Sequence, residues 1–273
     1  MEMLQDLESQ AELISEILDL KKKVLPGYFA EPRIKTRLYE AICYDVLLYE
    51  RLLRKYGCQR RGAIYLGGHK GEMLLALVLL GFKKIIVVEP QPELFKQLQE
   101  RITVVNQLFS SYDKLIDGEP FTSIEVFQSA IGAIDGEAEL YVTSKSQLTS
   151  LFKPKAEVFN EETVYSEVEV SNKIIVPLKT VDRIIEESSG EISEFDFIYM
   201  NIQGSELKAL EGAKETLPHL KAIYLEKSLV SRYENCPQPE EIDKYLVDRN
   251  FAKVWAYFPQ NYGVSFDLYV NHN

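Results

Sequence analysis

Two short runs of consecutive apolar residues, 63–66 and 85–88, constrain this chain most, because a glycine-rich turn and an apolar helix stand between them. A strand that is apolar at every position has both faces buried. Strands of that kind separated by helices form a parallel sheet covered on both sides. Residues 73–80 read as the first helix and 92 to about 105 as the second, opened by Pro92 in its first turn. Residues 124–127 and 138–142 read as further strands, joined around the turn signal Asp135-Gly136. A strand over 167–176, a helix over 180–187, a strand over 195–200, a helix over 205–213, a strand over 222–225 and a helix over 239–249 continue the alternation. Residues 251–258 and 264–270 close the chain as an antiparallel pair. The polar stretch 144–166 has no period and is expected to be an active-site loop. The fold expected is α/β, a doubly wound and mostly parallel Rossmann-like sheet that binds ligands beyond the carboxyl ends of its strands.

Ahead of the sheet, Leu4, Leu7, Ala11, Ile14 and Leu18 fall at helical spacing, and Pro26-Gly27 ends that helix. A second helix is expected from about 33 to 56, stopped by Gly57. The chain therefore divides into a helical extension, 1–59, and a Rossmann-like domain, 60–273. The helices must pack either on the sheet domain or on a second copy, which would make a homo-oligomer.

The formal charge of −11 argues against a nucleic-acid partner, since phosphate binding leaves a basic footprint. Cys43, Cys58 and Cys236 are too few and too scattered for a disulfide framework or a zinc site, so no metal is expected. No apolar run approaches the roughly 20 residues of a membrane span, and the acidic start lacks the pattern of a secretory signal. The expectation is a cytoplasmic protein with no membrane partner.

Tyr65-Leu66-Gly67-Gly68-His69-Lys70-Gly71-Glu72 joins the first strand to its helix. Glycines there permit a tight turn and close approach of a ligand to the backbone, although a tight turn alone would also explain them. Glu89 ends the second strand and precedes Pro90-Gln91-Pro92. An acid at that point is placed to accept hydrogen bonds from both hydroxyls of a ribose. Together the two features indicate an adenosine-type ligand. The Gly-Gly-x-x-Gly spacing is not that of a nicotinamide-dinucleotide site, and no phosphate-loop motif is present.

Around these residues the chain resembles the FkbM-type methyltransferases. The resemblance rests on ordered blocks: Gly67 to Gly71, Val88-Glu89-Pro90-Gln91-Pro92-Glu93, Ser129-Ala130-Ile131-Gly132, and Gln147-Leu148-Thr149-Ser150. It continues through residues 176–182, Asn201-Ile202-Gln203-Gly204-Ser205-Glu206, residues 210–213 and Tyr224-Leu225-Glu226, covering roughly 62–271. It implies a class I methyltransferase fold with a seven-stranded sheet and S-adenosylmethionine under the glycine loop. Tyr65, Gly67, Gly68, His69 and Gly71 would then line the methionine and ribose side. Glu89 and Pro90 would hold the ribose, and Ser129 and Ala130 would lie near the adenine. Asn201, Gln203 and Glu206 would stand where methyl group and acceptor meet. Such proteins typically methylate hydroxyls of sugars, glycans or secondary metabolites, so the partner implied is a small-molecule or glycan acceptor.

Two positions depart from the family pattern, Tyr65 and Asn201, each standing where an acid is usual. The cofactor carries a sulfonium and an ammonium, and one short-range charge pair is worth about 4 kcal/mol at an effective dielectric of 20, before desolvation. Activity therefore hangs on the remaining acids. The candidate bases are Glu226, at the sheet's carboxyl edge, Glu206, in a helix's first turn, and His69, with Asn201 beside them. Tyr28, Phe29, Tyr39, Tyr44 and Tyr49 near the start and Trp255, Tyr257 and Tyr262 near the end read chiefly as core, and a minority of them could offer a sugar ring an aromatic platform. The competing expectation is a non-catalytic protein of the same fold that serves as a ligand-binding or interaction module.

Overall fold

The computed structural model describes residues 52–113, 122–161, 168–259 and 262–272. The expected first helix and residues 33–51 of the second lie outside these; residues 52–55 are helical. The elements in chain order are β1 (Gly62–Leu66), α1 (Leu74–Leu79), β2 (Lys84–Val88), α2 (Pro92–Asp113), β3 (Ser123–Phe127), β4 (Ala130–Ile131), β5 (Gly136–Thr143) and α3 (Ala156–Glu161). There follow β6 (Val170–Lys179), α4 (Val181–Glu187), β7 (Phe197–Met200), α5 (Glu206–Glu211), β8 (Ala222–Ser228), α6 (Pro239–Val247), β9 (Phe251–Tyr257) and β10 (Val264–Asn271). Among the described residues no helix is long and apolar enough to cross a membrane.

A seven-stranded sheet runs in the order β3-β2-β1-β7-β8-β10-β9. Its strands are parallel except β10, which is antiparallel to both β8 and β9. Side chains alternate between the two faces, and each face has its own core. Ala63, Tyr65, Ile85, Val87, Phe197 and Tyr224 pack with α1 and α2. Ile64, Leu66, Ile86, Ile198, Met200, Ile223 and Leu225 pack with α4, α5 and α6. Local chemistry sets the helix starts. The Thr180 hydroxyl accepts from the Arg183 amide at α4, and Gln238 and Glu241 cap α6 reciprocally, with Pro239 in its first turn.

Three expectations need correction. Residues 136–143 are not part of the main sheet: β4, β6 and β5 form a separate three-stranded sheet with a small core of Ala130, Leu140 and Val176. The alternation of Glu137 and Glu139 with Ala138 and Leu140 suits an antiparallel pair with one wet face. The stretch 144–166 is not all loop, since it holds a 3-10 turn at Ser146–Leu148 and α3. Finally, β8 runs to Ser228, so Glu226 lies within a strand, opposite Phe266 of β10.

A buried charge network ties β8, β9, β10 and α6 together. Lys227 Nζ lies 2.7 Å from Asp267 and 2.5 Å from Asp243, and it donates to the Tyr269 hydroxyl at 2.9 Å. Lys253 reaches the same two carboxylates at 2.9 and 3.1 Å. Lys227 and Asp267 are both buried, so removing one partner costs far more than the pair contributes. Lys227→Met should lower the unfolding free energy by about 3 kcal/mol, read from urea titrations, where an exposed pair would change by less than about 1 kcal/mol.

Candidate active site

The glycine loop is shaped by what surrounds it. Gly67 takes φ +82°, and a Cβ there would lie 2.1 Å from the Asn201 carbonyl oxygen, so only glycine fits. A Cβ on Gly68 would meet Val87 at 2.6 Å. The amides of Gly67 and Gly68 both donate to the Val88 carbonyl, at 3.0 and 2.9 Å, which draws the loop over the end of β2. Gly71 turns the chain into α1 with φ +75°. Tyr65, at the residue where an acid is usual, donates from its hydroxyl to the Gly68 carbonyl at 3.2 Å and so braces the loop from below.

Glu89 is brought to the same place from β2. Its Oε2 accepts from the His69 amide at 2.7 Å and its Oε1 from the Gln91 amide at 2.9 Å. Burial pushes this carboxyl above its ordinary value, and those backbone bonds oppose the rise. Each oxygen keeps a second lone pair for a ribose hydroxyl. The His69 ring bonds Glu72 Oε1 and Ser146 Oγ, each at 2.8 Å. Burial acts to raise Glu72, but its bond to His69 holds it below the usual carboxylate range.

The acceptor side forms where β7 and β8 end. Asn201 Nδ2 donates to Glu226 Oε2 at 3.0 Å, and Gln203 Nε2 donates to Glu226 Oε1 at 3.3 Å and to Asn201 Oδ1 at 2.5 Å. The Tyr233 hydroxyl reaches Gln203 Oε1 at 2.9 Å and the Leu148 carbonyl at 3.1 Å. Burial raises Glu226, while the Arg232 guanidinium and the two amide donors oppose that. Arg232 is itself buried, donates to the Tyr262 carbonyl, and lies 5.9 Å from the centre of the Phe159 ring. Glu226 keeps part of its surface accessible.

Other candidates fall elsewhere. Glu206 is buried, and its two oxygens accept the amides of Ile202 and Gly204, both at 3.0 Å. It braces the turn in which Gln203 adopts φ +52°, and this takes it out of the set of candidate bases. The Ser129 hydroxyl is also turned inward, onto the carbonyls of Ala130 and Pro177, and Ala130 is buried in β4. Their side chains therefore serve the small sheet; an adenine near them would meet backbone. Pro90 stands between Glu89 and Gln91 and sets the bend that turns the Gln91 amide back to the carboxylate.

The sequence left four contributors unremarked. Gln91 Nε2 donates to the Ser146 carbonyl at 3.2 Å and Thr149 Oγ1 to Gln91 Oε1 at 3.4 Å. Ser150 Oγ donates to the Gln203 carbonyl at 2.7 Å. The turn 146–150 thereby spans the Glu89–Gln91 segment and the Gln203 turn. Gln91, Thr149 and Ser150 stand in motifs that could have drawn attention to them. Tyr233 carries no such signal, because its partners are far away in sequence.

A parallel sheet with one antiparallel strand next to its edge, a glycine turn after β1 and an acid after β2 define the class I methyltransferase fold. The residues 66–253 match the methyltransferase FkbM domain, and the chain belongs to that family of methyltransferases. No match was found among curated proteins. Among solved structures, magnesium protoporphyrin IX methyltransferase from Synechocystis PCC 6803 is 9% identical over 93% of this chain and 90% of its own, with a TM-score of 0.43. A SAM-dependent methyltransferase from Aquifex aeolicus is 14% identical over 94% and 97%, with a TM-score of 0.39. At such scores neither likeness bears on the chemistry.

The burial of Glu206 has a measurable cost. Desolvation pushes its carboxyl from 4.5 to about 7, against the pull of the amides it accepts. A raised acid contributes stability in full below its unfolded value and loses it as pH rises through the folded one. Between pH 4.5 and 7 the loss amounts to about 3 kcal/mol. Glu206→Gln should abolish that share of the slope, so that urea titrations from pH 4 to 8 show the variant gaining on the wild type as pH rises.

Proposed function

We propose that this methyltransferase uses S-adenosylmethionine to methylate a hydroxyl on a sugar or glycan-like acceptor, in the cytoplasm. The observation that carries the reading is the line of residues at the carboxyl edge of the sheet. Asn201 adjoins Gly67, Glu226 adjoins Asn201, Phe266 pairs with Glu226, and Tyr257 pairs with Phe266. Neighbouring strands lie about 4.8 Å apart, so the glycine loop and Glu226 are about 10 Å apart, and Glu226 and Tyr257 about the same.

The residues present fit the cofactor. The glycines at 67 and 68 let the turn close onto Asn201 and Val87, which brings its backbone beside Glu89, and Glu89 offers lone pairs to a diol. Glu226 supplies the negative charge that Tyr65 and Asn201 lack. When bound, the cofactor supplies an activated methyl group with its own leaving group. The chain has to position the acceptor and take its proton. Glu226 serves as that base: both oxygens are held by amide donors, which fixes the carboxylate while leaving a lone pair to face the acceptor O–H. Arg232 keeps a cation in the same buried surroundings, which favours the anionic form.

Beyond Glu226, Phe266 and Tyr257 stack with centroids 6.5 Å apart, and Trp255 stacks on Tyr257 at 6.2 Å. Tyr257 is 50% exposed, so one aromatic wall faces solvent beside the base. A single open wall suits the apolar face of a sugar ring, which keeps its hydroxyls wet on the other side.

Calorimetry with S-adenosylmethionine and S-adenosylhomocysteine tests this directly. Both should bind, and Glu89→Ala should weaken both by about 10- to 100-fold, the worth of charged hydrogen bonds to a diol. Glu226→Gln should weaken the sulfonium form more than the neutral thioether, and it should cut labelled methyl transfer to a panel of sugars by about 100-fold or more. Absence of binding by either molecule at millimolar concentration would refute the reading.

A further inference from the structure

The amides at 201 and 203 form part of a longer chain than base positioning requires. Tyr233 OH donates to Gln203 Oε1, Gln203 Nε2 to Asn201 Oδ1, and Asn201 Nδ2 to Glu226 Oε2. Every donor points toward the carboxylate. At the far end the single proton of Tyr233 faces two acceptors, Gln203 Oε1 at 2.9 Å and the Leu148 carbonyl at 3.1 Å. In this direction the Leu148 carbonyl goes short.

In the opposite direction the protonated carboxyl finds an acceptor and the Leu148 carbonyl a donor of its own, while the weaker bond from Gln203 to Glu226 Oε1 is given up. With a proton on Glu226 Oε2, that O–H donates to Asn201 Oδ1. Asn201 Nδ2 then donates to Gln203 Oε1, Gln203 Nε2 to the Tyr233 oxygen, and Tyr233 OH to the Leu148 carbonyl. The change needs only the turning over of two terminal amides and one hydroxyl, because oxygen and nitrogen ends are nearly the same size. It needs amides at both positions: a carboxylate at 201 has no donor to give to Glu226.

We propose that Asn201, Gln203 and Tyr233 are positioning residues forming a reversible hydrogen-bond chain, which turns from facing Glu226 to facing the Leu148 carbonyl when Glu226 takes up a proton. The proposal rests on the reading of Glu226 as base. In that step the acceptor's O–H bond breaks and its proton goes to Glu226 as the oxygen's electron pair forms the bond to the methyl carbon. The pair of the broken carbon–sulfur bond stays on sulfur, so Glu226 ends neutral and the sulfonium becomes a thioether. The chain gives the carboxylate donors before the step and an acceptor after it. Leu148 belongs to the turn 146–150, which also holds His69 and Gln91 through Ser146. Proton uptake at the base is thereby felt at the ribose side.

The charged and titratable groups around Glu226 are Arg232 and Tyr233 from the segment after β8, and Glu206 of α5. Phe266 faces it from β10 and carries no charge. Burial has already raised Glu226 above the ordinary range, which brings its protonation within reach of measurement.

The test uses the unliganded full chain, so its failure would leave the methyl-transfer reading standing, and a failure of cofactor binding would leave this test intact. Infrared difference titration follows the Glu226 carboxyl band, assigned by its loss in Glu226→Gln. Nitrogen-15 NMR follows the Gln203 side-chain amide, assigned by its loss in Gln203→Met. In the wild type the Gln203 amide should shift with the same midpoint as the Glu226 band. Tyr233→Phe removes one partner from the anionic form and two from the neutral form. It should lower the common midpoint by about half to one pH unit, the worth of one buried hydrogen bond. A Gln203 signal indifferent to Glu226, or a midpoint that stays or rises in Tyr233→Phe, overturns the proposal. The wild-type result decides alone if the variant does not fold.

Discussion

The close passage of β1 against β7 at their carboxyl ends governs the rest of this molecule. The missing Cβ of Gly67 lets the Asn201 carbonyl approach to a distance no side chain would allow, and the Asn201 amide completes the contact by donating to the Leu66 carbonyl at 3.1 Å. With the strand ends held there, parallel register carries Asn201 beside Glu226, and the antiparallel return of β10 brings Phe266 across from the carboxylate. The glycine loop meets Asn201 because Gly67 lacks a side chain, and strand pairing carries the line on to Glu226, Phe266 and Tyr257. A bulkier residue at 67 would part the loop from the acceptor side without touching either.

Three carboxylates at this edge show how surroundings divide one chemistry into separate tasks. Glu89, Glu206 and Glu226 are all raised by desolvation, and all are opposed by hydrogen-bond donors. Glu206 has its two oxygens turned onto backbone amides inside the protein, so it is spent on holding a strained turn. Glu89 accepts backbone amides too, but from the glycine loop at His69 and from Gln91. Glu226 accepts side-chain amides, which can turn over, and it has Arg232 nearby. Only the last arrangement has donors that can become acceptors when the carboxyl takes up a proton. Asn201, an apparent loss of charge in the sequence, makes sense here, since an acid beside Glu226 would repel it and offer it no donor.

The fold was legible where local pattern and burial agree. Residues 63–66, 85–88 and 197–200 are apolar throughout because both their faces are covered, and periodicity alone shows that. The small sheet was not legible: a strand's partner is a matter of distant pairing, and 136–143 carries no mark of which sheet it joins. Glu226 was recognised as a residue of the carboxyl edge, although the strand continues past it, because Lys227 is a charge that reads as a boundary and is in fact buried by Asp267. Glu89 and the glycine loop were readable from spacing. For Glu206 the surroundings were not legible, since an acid in a helix's first turn looks alike whether it faces solvent or the backbone of its own loop. Tyr233 lies 30 residues from Gln203 and 85 from Leu148, and no sequence pattern joins them.

The account stands or falls on where the nucleoside lies relative to Glu226. A crystal structure of the full chain with S-adenosylhomocysteine measures that directly. The account predicts both ribose hydroxyls within hydrogen-bond distance of the Glu89 carboxylate. It also predicts the sulfur above the junction of Gly67 and Asn201, on the Glu226 side. A nucleoside bound away from Glu89, or a sulfur on the opposite side of the glycine loop from Glu226, would contradict it.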